Sequence, residues 1–252
     1  YEIPKRDWSS DVCSSDLSQS PQIMNDDYTL PEKKTLHVYG PKETMMRMEH
    51  LLHTCIFDNR LNLEIHEINP KRNELLEILN TEDFIVKAAH MDHGIPCLAY
   101  TFIEKDVRII NIEKIRKHNI PEGPLVGRLQ RGEPIVYNNQ EITPETVSEL
   151  RQGKKITFIM DTGLCENAQM ISENADLLIC EASYASKLEE KSEQHKHMTA
   201  KNAALIASNA NVKKLILTHL SQRYKTGSEV LEDAKDIFSN VDVAYDFMKV
   251  KI

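Results

Sequence analysis

Three short apolar runs in this 252-residue chain each end at a side chain that can bind a metal or move a proton. Ile156-Thr157-Phe158-Ile159-Met160 runs into Asp161-Thr162, Leu177-Leu178-Ile179-Cys180 into Glu181-Ala182, and Leu215-Ile216-Leu217-Thr218 into His219. A fourth run, Phe84-Ile85-Val86, leads to the cluster His90-Met91-Asp92-His93. Runs of four or five apolar or β-branched residues read as buried strands. In open α/β sheets the chemistry sits just beyond the carboxyl ends of such strands. Histidine and aspartate are the ligands that suit zinc when cysteine is not used. His93, Asp161 and His219 are therefore candidate ligands, held by strands and flanked by loops that leave room for water and substrate. Three ligands suffice for one catalytic zinc. A bridged pair of metals, about 3.5–4 Å apart, would clamp both oxygens of a phosphoryl displacement, but three ligands are few for such a pair. Each strand-end residue alone reads better as a solvated surface group; the set reads as one converging site.

The elements that position these residues are legible after residue 155. Strands at 156–160, 177–180 and 214–218 alternate with helical segments, the first near 165–174. Thr199 is a candidate N-cap for a helix carrying Ala200, Ala203, Ala204 and Ala207 on one face. Thr226 and Glu229 have capping-box spacing ahead of a helix that turns Leu231, Ala234 and Phe238 inward. Two further strands, near 241–244 and 247–251, are expected to close the sheet. Earlier in the chain, Leu36-His37-Val38-Tyr39 reads as a strand closed by Gly40-Pro41, then a helix with Met45, Met48, Leu51 and Leu52 in the core. Leu61, Leu63 and Ile65 alternate as in a half-buried strand, and residues 81–102 read as two strands joined through the histidine cluster.

Bulk properties narrow the class. Hydrophobic residues make up 40% and charged residues 28%, which suits a globular protein, and the net charge of −8 leaves no global basic footprint for nucleic acid. No apolar run approaches the roughly 20 residues of a membrane helix, and no charged-then-apolar secretory segment opens the chain. Five cysteines, at 13, 55, 97, 165 and 180, form no C-x-x-C pair, so a reducing cytoplasm and buried, unpaired thiols are expected. Residues 1–30, with serine-rich SSDVCSSDLSQSP at 9–21, read as a poorly ordered or foreign lead-in. Between 105 and 131 seven basic side chains meet three acidic ones, a local balance of +4, around a short helical pattern at 112–120 and the turn Pro121-Glu122-Gly123-Pro124. A solvated helix face and an excursion that touches phosphates fit this equally. His37, His50, His53, His66 and His118 have no ligand spacing and read as structural or exposed; His195 reads as surface.

From about Leu36 onward the chain resembles the tRNase Z (ribonuclease Z) family of the metallo-β-lactamase superfamily. The resemblance is carried by Tyr39-Gly40-Pro41-Lys42, His93-Gly94-Ile95-Pro96 with Tyr100, Asp161-Thr162, Glu181-Ala182-Ser183-Tyr184, His197-Met198-Thr199 and Leu217-Thr218-His219-Leu220-Ser221-Gln222-Arg223-Tyr224, in the family's order and spacing. It implies an α/β fold, the metallo-β-lactamase αββα sandwich, N-terminally incomplete here, spanning 31–252 with a basic arm inserted at about 105–150. It implies zinc, two ions in the family, with His93, Asp161 and His219 as ligands and Asp161 as the bridge. His197 becomes the catalytic histidine and Glu181 the carboxylate that works with it. The arm would grip tRNA through Arg116, Lys117, Gly123, Pro124, Arg128 and Arg131. The implied activity is endonucleolytic removal of the 3′ trailer from precursor tRNA by metal-assisted phosphodiester hydrolysis, in the cytoplasm, by a homodimer without a membrane partner.

The departures are specific. The family's His-x-His-x-Asp-His, expected just upstream of the Tyr39 turn, is not in the sequence. His90 and Asp92 superficially resemble its second half, but the following Gly94-Ile95-Pro96 assigns this segment to the later ligand histidine, so both read as neighbours of a ligand. Met160 replaces a family glycine, and Leu98-Ala99 an aromatic-glycine pair. Two other classes stay open on these residues: another hydrolase of the superfamily, and a chain that binds tRNA or pairs with an intact subunit without cleaving.

Overall fold

The computed structural model describes residues 35–54 and 62–252. The lead-in at 1–30, Cys13, Cys55 and Leu61 lie outside the described residues. Of the described elements, β1 (Thr35–Gly40), α1 (Thr44–Leu52) and β2 (Asn62–Glu67) come first, then β3 (Leu76–Asn80), β4 (Phe84–Met91) and β5 (Cys97–Glu104). After an inserted segment follow β10 (Lys155–Ile159), α5 (Glu166–Ser172), β11 (Leu177–Glu181), α6 (Glu189–His195), α7 (Ala200–Asn209), β12 (Leu215–Thr218), α8 (Ser228–Lys235) and β13 (Val241–Val243). The inserted segment carries β6 (Val107–Ile110), α2 (Ile112–Lys117), α3 (Pro124–Gln130), β7 (Ile135–Tyr137), β8 (Gln140–Ile142), α4 (Pro144–Val147) and β9 (Ser148–Arg151). The chain divides into two compact units, the second made of Asn80–Ile85 and Ile103–Lys154. None of the described helices is long and apolar enough to cross a membrane.

The first unit is built on a seven-stranded sheet in the order β13-β12-β11-β10-β5-β4-β3. Its strands β10 through β13 pair in parallel. Parallel strands are covered on both faces, which is why they read in sequence as continuous apolar runs and not as alternation. Leu178, Cys180, Leu215 and Leu217 are wholly buried. Helix α7 packs through the expected alanine face: Ala200, Ala203, Ala204 and Ala207 are all at zero exposure. Small side chains bring its backbone close to the sheet, and the Thr199 side chain caps it by accepting from the Asn202 amide at 3.2 Å.

Three sequence expectations are corrected. The Thr226/Glu229 box does not form: α8 begins at Ser228 with Gly227 as its N-cap, and no side chain caps it. A Cβ at Gly227 would stand 2.6 Å from Val243 Cγ1, so close packing on β13 fixes the helix start one residue later than the box requires. No strand forms at 247–251, because Phe247 adopts a left-handed φ of 63° and the Met248 amide closes a turn on the Tyr245 carbonyl. The stripe of Met45, Met48, Leu51 and Leu52 on α1 is not core: Met45 is 49% exposed, and no residue of the helix is buried. The helix lies on the two-stranded β1–β2 ribbon, which is too narrow to cover it.

The second unit has its own small core of Ile115, Ile120, Leu129, Ile135, Ile142 and Val147. Strands β6 and β9 pair antiparallel, and β7–β8 is a hairpin turned through Asn138 and Asn139 at φ 52° and 60°. Positive φ at both central residues matches the right-handed twist of the flanking strands.

Tyr100 of β5 gives a pH prediction. Its hydroxyl donates to the Tyr39 carbonyl at 2.9 Å, and burial, with Cys97 nearby, pushes its pKa up to about 12. An unfolded tyrosine titrates near 10. A folded-state pKa above the unfolded one gives stability that is complete below pH 10 and is lost as pH rises toward 12. Tyr100→Phe removes the titrating group. The difference in thermal midpoint between parent and variant should therefore shrink steadily from pH 9.5 to 11.5; a difference independent of pH would show that the hydroxyl does not titrate late.

Candidate functional site

Three adjacent parallel strands deliver the candidate residues to one edge of the sheet. Asp161 lies two residues past β10, Glu181 is the last residue of β11, and His219 follows β12 directly. Glu181 pairs with Thr218 in the β11–β12 register, so Glu181 and His219 leave neighbouring strands at the same level. His219 sits at φ 56°, a conformation uncommon for a residue with a Cβ and one that marks a strained, positioned site. The backbone around it is held by the Ala182 amide to the Thr218 carbonyl at 2.9 Å and the Ser221 amide to the Ser183 carbonyl at 3.1 Å.

Glu181 is the centre of the polar network. Its carboxylate is wholly buried and accepts from three groups: the Thr162 amide at 2.6 Å, the Ser183 hydroxyl at 2.8 Å, and His197 Nδ1 at 2.9 and 3.1 Å. A buried carboxylate is tolerable only when its oxygens are hydrogen-bonded in this way. The same bonds fix the histidine tautomers. Ser183 has one proton, and with that proton on Glu181 its oxygen accepts from His219 Nδ1 at 2.9 Å. His219 Nε2 is then left as a lone pair 3.3 Å from Asp161 Oδ1. His93 Nδ1 donates to the Lys196 carbonyl at 3.0 Å, which leaves its Nε2 free in the same way.

His197 comes from the loop between α6 and α7, which is tied to the end of β11. The Tyr184 amide donates to the Met198 carbonyl, the Ala200 amide to the Tyr184 carbonyl, and Tyr184 and Thr199 form a parallel bridge. The His197 ring lies 5.3 Å from that of His219 and 5.1 Å from that of His93. The hydrogen bond to Glu181 raises the His197 pKa above the ordinary histidine value, against burial, with the charge of Asp161 adding to the rise. Across the site the Asp92 amide donates to the Thr162 hydroxyl, the Gly163 amide donates to the Asp92 carbonyl, and Lys196 pairs with the Asp92 carboxylate at 2.7 Å. A cavity of about 660 Å³ opens beside His93, lined among others by Arg72, Asn73, His90 and Asn167. Asn167, one of its lining residues, donates through Nδ2 to the His90 carbonyl at 2.8 Å, and its Oδ1 is buried without a hydrogen-bond partner among the described residues.

Asp161, His197 and His219 each offer a ligand atom within 4.8 Å of the other two. The donor set fits a cation. A histidine lone pair facing a carboxylate oxygen at 3.3 Å is a repulsive arrangement that a metal ion or a proton relieves. His93 stands beside this group through His197, and Asp92 turns to Lys196. Glu181, expected as the carboxylate that works with His197, has no exposed surface, and its hydrogen bonds among the described residues run to His197, Ser183 and Thr162. The sequence reading missed Ser183 and Thr162 as network members. The signal for both was their adjacency to the strand-end residues Glu181 and Asp161. In the second unit Arg116 and Lys117 are exposed on α2, and Gly123, at φ 126°, starts α3 with Pro124 at its first turn. Arg128 and Arg131 both pair with Glu133, at 3.0 and 3.2 Å, and hold its carboxyl below the usual range.

Glu181→Gln keeps the volume of the side chain but sets an amide N–H₂ among three donors. It should destabilise the metal-free protein by about 1–3 kcal/mol and return the His197 titration, followed by NMR, toward the ordinary range. A His197 titration unchanged by the substitution would refute this network.

No protein-family model matches the chain. Ribonuclease Z of Archaeoglobus fulgidus is 38% identical over 223 residues, covering 87% of this chain and 71% of the relative. Ribonuclease Z of Bacillus cereus strain AH187 is 35% identical over 216 residues, covering 84% and 69%. Among solved structures, the short form of human tRNase Z superposes with a TM-score of 0.59 at 21% identity, covering 92% of this chain and 73% of that one. The metallo-β-lactamase fold protein YhfI of Bacillus subtilis gives a TM-score of 0.51 at 18% identity, covering 84% and 63%. The fold is that of the metallo-β-lactamases, and with two relatives above a third identical over most of both chains, this chain belongs to the ribonuclease Z family.

Proposed function

We propose that the chain is a tRNA 3′-end processing endonuclease, one that removes the 3′ trailer from precursor tRNA by metal-assisted hydrolysis. The observation that carries the reading is the Glu181 network, which turns Nε2 of His219 toward Asp161 and holds His197 by its other nitrogen beside them. Membership of the ribonuclease Z family supports the substrate. In this reading Asp161, His219 and His93 hold zinc. Bound zinc supplies Lewis acidity toward a phosphoryl oxygen and a lowered pKa for water. His197 supplies what a hydrolysed phosphodiester needs at its other end, a proton for the departing 3′ oxygen. Glu181 favours the protonated imidazole and aims it.

Substrate grip falls to the second unit. Arg116 and Lys117 are its exposed cations on α2, while Arg128 and Arg131 share their charge with Glu133. The first pair is therefore better placed to neutralise phosphate. A cytoplasmic homodimer belongs to the same reading, and sedimentation of the purified chain tests the dimer.

Cleavage is assayed on the chain joined to a relative's His-x-His-x-Asp-His segment. There, His197→Ala should lower turnover by about 10²–10⁴-fold with zinc content and tRNA affinity nearly unchanged, whereas His219→Ala should lose zinc. Release of zinc by His197→Ala would make that residue a ligand and overturn its role as acid. Arg116→Ala with Lys117→Ala should weaken tRNA binding and reduce the salt slope by about one for each phosphate that is no longer neutralised. Hydrolysis of a small phosphodiester should be unaffected. Equal losses on both substrates would show that these side chains support the fold and not recognition.

A further inference from the structure

The parallel pairing of β1 with β2 puts His37 opposite Glu64 and Tyr39 opposite His66. Partners across a ladder and residues two apart along a strand share a face, so His37, Tyr39, Glu64 and His66 stand together on one side of the ribbon. His37 Nδ1 is 3.1 Å from His66 Nε2 and 3.2 Å from Glu64 Oε2. Their ligand atoms all lie within 4.8 Å of one another. We infer that His37, Glu64 and His66 form a second metal site, of the two-histidine, one-carboxylate type, that takes a borderline divalent cation such as zinc. The site shares no residue with the Asp161 and His219 cluster and goes beyond the function proposed above.

Three observations carry this. The spacing is the first. Two donors bound to a tetrahedral zinc at about 2.0–2.1 Å stand roughly 3.3 Å apart. The two measured separations fall within a few tenths of an ångström of that edge. Donor chemistry is the second. His37 Nδ1 faces both a ring nitrogen and a carboxylate oxygen, so the shared N–H can satisfy them only in a divided bond. A cation accepts all three lone pairs at once. Preorganisation is the third. The His66 ring is stacked on Tyr39 at 4.5 Å and on His37 at 5.4 Å, which limits the rotamers that binding would otherwise have to freeze. Imidazole with carboxylate suits zinc, nickel and copper, and not magnesium or calcium.

The ribbon gives the site a consequence. Strands β1 and β2 pair only with each other among the described residues, and a two-stranded ribbon is marginal alone. A metal that joins His37 of one strand to Glu64 and His66 of the other clips the ribbon shut, and ligands that meet only in the folded state turn binding into stability.

The test uses zinc itself as the probe. Zinc bound at equilibrium dialysis and the zinc-dependent thermal shift are measured for the parent, for His37→Gln/His66→Gln, and for Asp161→Ala/His219→Ala. The expected result is that His37→Gln/His66→Gln binds about one equivalent less than the parent, loses most of the thermal shift, and keeps whatever zinc the Asp161 cluster holds. Asp161→Ala/His219→Ala should keep the His37 equivalent. If His37→Gln/His66→Gln binds as much zinc as the parent at every concentration, the inference is wrong. Should the Asp161→Ala/His219→Ala chain fail to fold by circular dichroism, the parent comparison alone decides. The tRNA cleavage assay is read separately, so loss of one proposal leaves the other standing.

Discussion

A carboxylate with no exposed surface sits where three elements of the ribonuclease Z site meet, and its need for donors organises them. Glu181 takes the Thr162 amide from the β10 loop, the Ser183 hydroxyl from its own strand end, and His197 from the α6–α7 loop. Left without those donors, a buried charge of this kind costs several kcal/mol, so the three segments are held to the carboxylate as strongly as it is held to them. Through Ser183 the same constraint reaches His219, whose free nitrogen is thereby turned to Asp161. The orientation of two histidines thus follows from one acid with no exposed surface.

The parallel sheet supplies the rest of the precision. Three neighbouring strands end at the same level because their registers are locked by buried apolar runs, and each carries one candidate residue over that edge. The strained φ of His219 is sustained because both flanking segments are hydrogen-bonded into the core. The exposed Lys196–Asp92 pair contributes little by comparison. Its use is geometric, since Lys196 also presents the carbonyl that fixes the His93 tautomer.

What was legible in the sequence follows the same physics. Asp161, Glu181 and His219 stood out because buried parallel strands are continuous apolar runs, and the residue that breaks such a run is conspicuous. The α7 cap and alanine face were legible because both are local. The start of α8 was not, since it depends on Gly227 meeting Val243 across the fold. The short strands of the second unit carry three or four residues each, too few for a period to register. The second histidine cluster was invisible for another reason. His37 and His66 lie 29 positions apart and become neighbours only through the β1–β2 register, which no spacing rule within one segment encodes.

Charge placement explains how an acidic chain can serve an acidic ligand. The net charge of −8 belongs to the whole, while the exposed cations Arg116 and Lys117 of α2 are set on the inserted unit with its own core. Phosphate attraction is screened over about 10 Å at moderate salt, so the local balance and not the total decides where a polyanion docks. The sheet edge that carries Asp161 and Glu181 is itself built around carboxylates. An extended basic surface there would compete for the Asp161 carboxylate with its neighbour His219.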